Sequence, residues 1–432
     1  MSSNVIFTIV TSNYIPMSNI LGDSIRLNQP DIDFIVFVID GYDQAVAHCE
    51  SKYNHIYVRD LAIENLNDLT FKYDLTEFCT AIKPKCFEYV FSKGFAKAIY
   101  LDPDIYVFSS INSILNELNE HPICLAPHII YPEVNYSGHW PQGRILAAGV
   151  YNLGFVGICN TERSALFLKW WNVNLDKYCF NERSEGYFTD QKWMNFCPIY
   201  FPETLIMRDM GVDVAFWNIH EREIVKSNGS YFVKRRNSEN KELTPLKFFH
   251  FSNLKFRNAA NFEHFIPFSF AGIPDVIEIV EFYGKKLIES DFALYNKVPN
   301  YKYNYFENGI HINKMHRRFY RRLLDNGIKY ENPFSVGEAS FFSILKKNHL
   351  ISNDRDNCDN VLVRSQNNSS LKFNIVKFVL RMTVKLIGFK NYNFLCRFML
   401  WLTKYENQLF LVKDYDKLVS AEKPDAYINI NK

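Results

Sequence analysis

Asp102 and Asp104, in Tyr100-Leu-Asp-Pro-Asp-Ile105, are the residues of this chain whose type and spacing best suit chemistry. Two carboxylates two residues apart at the end of a strand can face one hard divalent cation, which keeps open positions for phosphate oxygens. A diphosphate leaving group needs its charge neutralised in this way before it can depart. The spacing alone is weak evidence, because Asp31/Asp33, Asp354/Asp356 and Asp414/Asp416 repeat it and read as turn or surface pairs. Only Asp102/Asp104 follows a buried apolar run, Ala98-Ile-Tyr-Leu101, that a helical segment precedes. The competing reading is a polar turn that closes the strand.

The elements around the pair give it a rim to stand on. Val5-Ile-Phe-Thr-Ile-Val10, Phe34-Ile-Val-Phe-Val-Ile39, Ile56-Tyr-Val58, Ala98-Ile-Tyr-Leu101 and Ile123-Cys-Leu-Ala126 read as short buried strands. Helical patterns over 17–27, 44–51 and 85–92 lie between them, the last after Pro84 and before Gly94. Continuous apolar strands separated by helices predict an α/β domain with a mostly parallel central sheet covered on both faces. Ligands bind beyond the carboxyl ends of such strands, which places residues 8–14, Asp40 and 102–104 near one rim. Residues 133–258 are less regular, with helices expected over 162–175 and 190–196, and a long irregular stretch inside an α/β domain is usually functional. The predicted organisation is a Rossmann-like domain over 1–270 and a mainly helical region over 271–432. In the latter, residues 276–290 form an amphipathic helix, 314–322 a basic helical cluster, 351–370 a polar linker, and 371–410 an apolar segment with basic interruptions.

Composition bounds the function classes. At 432 residues with 47% hydrophobic content the chain can build a large core, and a net charge of +2 gives no pull toward nucleic acid. Aromatics reach 16%, with 38 Phe and 26 Tyr, which are core packing or, for some, platforms for bases and sugar rings. The N-terminal apolar run is too short for a signal peptide, and no run of 18 apolar residues occurs. Nine scattered Cys without a C-x-x-C pair fit reduced thiols, so a cytoplasmic protein is expected.

Four motifs in order resemble GT-A glycosyltransferases, in particular family-8-like retaining enzymes of the bacterial polysaccharide type. They are Asp102-Pro-Asp104, Tyr151-Asn-Leu-Gly-Phe-Val-Gly157, Asp190-Gln191 (followed by Lys192-Trp193) and Phe248-Phe-His-Phe-Ser252, and the resemblance covers residues 4–258. It implies that Asp102, Asp104 and His250 hold Mn2+ or Mg2+, with Asp102 also reaching the ribose of a nucleotide-sugar donor, UDP-linked by analogy. Asn152 and Gly154 would line the donor sugar, and Asp190 and Gln191 would face sugar and acceptor. Thr8, Thr11, Asn13 and Tyr14 would receive the base and ribose, Lys83 would contact the nucleotide or sugar, and Trp217 with Asn218 would wall the sugar. The family often has Gly and Lys soon after the histidine; here Ser252-Asn-Leu-Lys255 follows, leaving Lys255 as a weak substitute.

Each assignment has a structural alternative. His250 could be a histidine packed among Phe248, Phe249 and Phe251, and Trp217 a core residue. Tyr14 could belong to a helix N-terminus capped by Ser18 or Asn19. Lys83 could be a solvated surface lysine, and Asp190 an N-cap. An inverting reaction would need a carboxylate base, for which Asp190 and Glu221 are available, whereas a retaining one lets the leaving diphosphate take the acceptor proton. A nucleotidyltransferase would share the sheet and the acids, but the loop Thr11-Ser-Asn-Tyr-Ile-Pro-Met17 lacks the Gly and basic residues that hold a triphosphate. An inactive scaffold of a polysaccharide assembly complex is the remaining alternative. In the C-terminal region, the Lys377/Arg381/Lys385 stripe and the Arg317/Arg318/Arg321/Arg322 cluster either belong to a packed helical subdomain that shapes the acceptor cleft or meet anionic headgroups at the inner face of a membrane, where lipid-linked glycan acceptors are made, and the arginine cluster could instead contact an acceptor diphosphate.

Overall fold

The computed structural model describes residues 3–40, 51–239, 242–252, 273–290, 301–351 and 371–413, without the side chains of 371–374. The helix expected over 44–51, the linker over 351–370 and Lys255 fall largely or wholly outside the described residues. The chain divides into two compact units, Met1–Glu64 with Leu75–Tyr301, and Asn65–Asp74 with Lys302–Lys432.

The strands of the first unit, in chain order, are β1 (Asn4–Val10), β2 (Asp33–Val38), β3 (Asn54–Tyr57), β4 (Lys97–Leu101), β5 (Ile105–Val107), β6 (Ile123–Pro127), β7 (Tyr151–Cys159), β8 (Leu205–Ile206), β9 (Val214–Ala215), β10 (Arg222–Ser227), β11 (Ser230–Arg235), β12 (Thr244–Pro245) and β13 (Phe248–His250). Seven of them form the central sheet in the order β3-β2-β1-β4-β7-β6-β8. All its pairings are parallel except those of β7, which runs antiparallel to β4 and β6. The fold class read from the sequence is therefore present. Every residue of β7 is buried, as is expected for a strand in the middle of a sheet covered on both faces. Val5, Ile6, Phe7, Val36, Phe37 and Val38 are fully buried, each worth roughly 1.5–3 kcal/mol of transfer free energy as an upper estimate.

A small second sheet, β5-β13-β9, decides where the chemistry sits. β13 pairs antiparallel with β5, bringing His250 opposite Ile105, and parallel with β9, bringing it beside Ala215. Phe251 N donates to Asp104 O at 2.9 Å, so the backbone bond that extends this ladder ties the histidine segment to the acid pair. The helix Pro274–Glu289, assigned from the sequence to the C-terminal region, packs in the first unit: Val276, Ile279, Val280, Tyr283 and Leu287 share a core with Ile224, Phe249 and Phe251. Its apolar positions recur at helical spacing, and Tyr283 stacks on Phe251 at 3.9 Å between ring centroids.

The second unit gathers a segment from the N-terminal half. Phe71, in the helix Leu66–Lys72, contacts the rings of Tyr320, Phe334, Phe341 and Phe306 at 4.7–5.7 Å. Arg317, in the helix Lys314–Asp325, is buried and donates to Thr70 O, Phe71 O, Tyr73 O, Tyr303 O and Asn304 Oδ1 at 2.7–3.1 Å. Arg318 is equally buried, and Arg321 pairs with Glu406 at 3.1 Å. This corrects the headgroup reading of the basic cluster: three of its four arginines are packed and bonded within the unit, and only Arg322 has substantial exposure. The helix Leu371–Leu402 is broken at Gly388, whose φ of 76° interrupts the helical run. Its Ile375, Phe378, Val379, Met382, Leu386 and Ile387 remain exposed. Among the described residues no helix is long and apolar enough to cross a membrane.

Candidate active site

Strand β4 ends at Leu101, and the chain turns through Asp102-Pro103-Asp104 into β5. Asp102 N donates to Gly154 O at 2.8 Å, which fixes the turn against β7. Among the described residues, the side chains of Asp102, Asp104 and His250 bring one ligand atom each to within 4.8 Å of one another. His250 Nε2 lies 3.1 Å from Asp104 Oδ1 and 3.6 Å from Asp102 Oδ2. The two acids keep 30% and 28% of their side chains exposed while the histidine is buried, so the cluster opens to one side only. Two carboxylate oxygens and an imidazole nitrogen are a donor set for a hard-to-borderline divalent cation such as Mn2+ or Mg2+. The cradle also fits: a Cβ on Gly154 would meet His250 Cε1 at 2.3 Å, so glycine is needed for the imidazole to take this place.

The electrostatics are those of acids held together. Burial pushes the Asp102 carboxyl up, against the pull of Lys83 and His250, and Asp104 adds to the rise. Burial works against charge on His250, but Asp104, Asp213 and Asp102 outweigh it and hold its pKa well above the usual histidine value. Burial, then Asp102, which accepts from Tyr100 Oη at 2.5 Å, pushes the Tyr100 phenol well up. Burial and Asp104 likewise raise the Tyr14 phenol.

Lys83 is not a solvated surface residue. Its side chain is 3% exposed and forms an ion pair of 2.8 Å with Asp190, itself 2% exposed. Lys83 Nζ also donates to Leu153 O at 2.8 Å and lies 4.3 Å above the Tyr100 ring. Burial acts against the ammonium, yet Asp190 and Asp102 raise its pKa on balance. Asp190 precedes the 3-10 turn Gln191–Phe196, but its side chain makes no capping bond, because Lys83 holds it. Gln191 is engaged with backbone: its Oε1 accepts from Leu153 N at 3.2 Å and its Nε2 donates to Ala148 O at 3.1 Å. It therefore positions β7 instead of presenting a free amide. Asn152 Oδ1 accepts from Gly154 N at 2.9 Å and lies 3.2 Å from His250 Nδ1.

Trp217 stands edge-on to His250 at 5.2 Å between centroids, close to His128 and Trp140. Asn218, expected as a sugar hydrogen bonder, is fully buried. Its amide accepts from Ala215 N and donates to Asp213 O and His128 O, so it closes the turn after β9. Glu221 is likewise engaged, accepting from Ile130 N and Tyr131 N and paired with Arg222. At the end of β1, Thr8 is buried with a hydroxyl that makes no hydrogen bond, Thr11 O accepts from Tyr14 N, and Asn13 is half-buried. Ser12 N donates to Asp40 Oδ1 at 2.7 Å, which fixes this loop at the rim. Ser18 and Asn19 are not caps, because the helix Ile15–Asn28 starts a turn earlier, with Pro16 in its first turn. One residue of the site escaped the sequence reading. Asp213 is fully buried 3.6 Å from His250 Nδ1, and its only signal is an acid inside the apolar run Val212-Asp-Val-Ala-Phe216.

No family model matches the chain. Among curated proteins it is 22% identical over 245 residues to the uncharacterised protein YfnF of Bacillus subtilis, covering 53% of this chain and 75% of that one. It is 25% identical over 180 residues to YfnD of the same organism, covering 41% of this chain and 53% of that one. Among solved structures it is similar to the galactosyltransferase LgtC in complex with donor and acceptor sugar analogues, with a TM-score of 0.37 and 15% identity over 65% of this chain and 95% of that one. It is also similar to mouse xyloside xylosyltransferase 1, with a TM-score of 0.34 and 12% identity over 58% of this chain and 98% of that one.

Proposed function

We propose that this chain is a metal-dependent glycosyltransferase that moves a sugar from a nucleotide diphosphate donor to a glycan or lipid-linked glycan acceptor. The observation that carries the reading is the convergence of Asp102, Asp104 and His250 at the carboxyl end of β4, open on one side and beside the end of β1. Asp102, Asp104 and His250 would hold the cation, which when bound neutralises the diphosphate of the leaving nucleotide. Tyr100 orients Asp102, Gly154 leaves room for the imidazole, and Asn152 and Gly154 in β7 would line the donor sugar. Tyr14, in the loop that ends β1, would stack on the base, with a UDP donor as the first candidate. Trp217 would shield the buried side of the metal site from water.

The retaining stereochemistry is favoured by what the acids are doing. Asp190 is locked to Lys83 and Glu221 to backbone amides and Arg222, so neither is a free base opposite the leaving group. The leaving diphosphate would then take the acceptor proton, and the enzyme's contribution is positioning and electrostatics.

The test is a screen of UDP-, GDP- and dTDP-sugars for Mn2+-dependent hydrolysis by the wild type and by Asp104→Ala. Turnover that needs metal and collapses in the variant is expected; undiminished metal-dependent turnover in the variant would refute the assignment. Release of sugar phosphate with nucleoside triphosphate as co-substrate would instead favour a nucleotidyltransferase, and no turnover with any donor a scaffold.

For the second unit we propose peripheral docking to an anionic lipid surface on the cytoplasmic side, in the service of surface-polysaccharide synthesis. Residues 371–404 carry seven Lys or Arg and no Asp or Glu, and Lys377, Arg381 and Lys385 lie exposed among exposed apolar side chains. Sedimentation with vesicles containing anionic lipid should be lost on deleting residues 371–432, and binding that survives the deletion would overturn this part.

A further inference from the structure

Asp213 is an odd residue to find where it stands. It is 0% exposed, and neither of its carboxylate oxygens makes a hydrogen bond. Its φ of +54° lies in the left-handed region that side chains other than glycine rarely adopt. A buried carboxylate without hydrogen bonds and a strained backbone are both unfavourable, and such features persist where the surroundings enforce them for a purpose. The enforcement is visible: Asn218 Nδ2 donates to Asp213 O at 2.9 Å, and Asn218 Oδ1 accepts from Ala215 N at 2.9 Å, closing the turn around Asp213.

What this turn presents is a carboxylate 3.6 Å from His250 Nδ1. Among the described residues, the other polar atom at that nitrogen is Asn152 Oδ1, 3.2 Å away. That oxygen is identified as the acceptor because Gly154 N donates to it at 2.9 Å. A ring nitrogen that meets only acceptors keeps its hydrogen, which leaves Nε2 as the atom facing Asp104 and Asp102. Trp217, perpendicular to the ring at 5.2 Å between centroids, and the missing Cβ of Gly154 shape the space that the imidazole fills.

We propose that Asp213 is the positioning residue of the metal centre: with Asn152 it keeps the hydrogen of His250 on Nδ1 and turns the Nε2 lone pair toward a divalent cation held by Asp102 and Asp104. Carboxylates behind a metal-bound histidine fix its tautomer and orientation and raise its donor strength, and losing one typically weakens metal binding about 10–100-fold. The inference rests on the metal reading of the site. It assigns to Asp213 more than balancing the buried Arg222 guanidinium, whose Nη1 donates to Val212 O at 2.7 Å.

The experiment uses the full chain and Mn2+ alone as the probe. Mn2+ binding is measured by electron paramagnetic resonance for the wild type, Asp213→Asn and Asp213→Ala, with melting temperatures alongside. Affinity about 10-fold weaker or more in both folded variants is the expected result. Variants that melt lower but bind Mn2+ within twofold of the wild type would reduce Asp213 to a purely structural residue and overturn the proposal. No Mn2+ binding by the wild type would overturn the metal reading itself, and this inference with it. Because either substitution could prevent folding, a second measurement needs only native protein: histidine 15N spectra of the Mg2+-loaded wild type, with the His250 signal identified by its loss in His250→Gln. A protonated Nδ1 is expected, and a hydrogen on Nε2 would rule the proposal out.

Discussion

Two charge clusters stood out in the sequence, and the fold treats them in opposite ways. Arg317 and Arg318 in the second unit are sealed from water, and Arg317 has its guanidinium satisfied by carbonyls from two separate stretches of chain. Asp102 and Asp104 in the first unit are left partly open, share one face, and have a buried imidazole between them and a third acid behind it. The arginines are held by bonds the fold itself supplies, so they need nothing further. The acids repel one another and are compensated only in part, so a cation lowers their energy. A charge cluster that the fold satisfies reads as architecture; one that it leaves unsatisfied on an open side reads as a site.

The comparison can be broken by experiment. The largest effect is expected at Lys83, the buried charge that the first unit does satisfy. Lys83→Met takes the ammonium away from Asp190 in a site 2% exposed, leaving the carboxylate the Thr189 hydroxyl at 3.2 Å, and removing one member of a buried pair costs about 3–5 kcal/mol. Chemical denaturation should register that loss, and a change below about 1 kcal/mol would mean that water reaches the pair. Asp104→Ala should have the opposite profile, with Mn2+ affinity weakened more than about 100-fold and little change in melting temperature, as calorimetry would read. Equal losses of stability and binding would erase the distinction between the two clusters. Arg317→Ala should cost roughly 2–3 kcal/mol through carbonyls left without donors, while donor hydrolysis per folded molecule stays at the wild-type level.

The smallest effect is a pH dependence. The folded-state pKa of His250 lies well above its ordinary 6.5, because Asp104, Asp213 and Asp102 outweigh burial. A raised value means that the charged histidine stabilises the metal-free protein fully at pH below 6.5, and that this contribution is lost as pH rises through the folded value. The melting temperature of metal-free protein should therefore fall on going to alkaline pH, and saturating Mn2+ should suppress the fall. A fall of the same size with and without metal would mean that His250 is not where the cation binds.

The parallel strands were legible because each is a continuous apolar run, and a run of that kind survives only inside a covered sheet. The Asp102/Asp104 pair was legible because it ends such a strand. Less was legible wherever a side chain's neighbours are distant in sequence. Lys83 and Asp190 meet across 107 positions of chain, and neither alone carries a sign of burial. Asn218 and Gln191 looked like ligand-facing amides, but in the fold both bind backbone groups. The helix Pro274–Glu289 was recognised by its periodicity, yet periodicity says that a face is buried and not against what, so its place in the first unit was invisible.

By itself the sequence determined the kinds of element, the rim on which polar residues gather, and which pair of acids stands at a strand end, because these follow from residue spacing within about ten positions. The tertiary structure alone decided that His250 lies opposite Ile105, one step from Asp104, because that depends on the register of two short strands 140 residues apart in the chain. It alone decided that Asp213 would be buried behind the histidine and that the arginine cluster would be consumed within its unit. Burial and partnership are properties of the packed chain, and they set whether a charge is neutralised by the fold or left for a ligand.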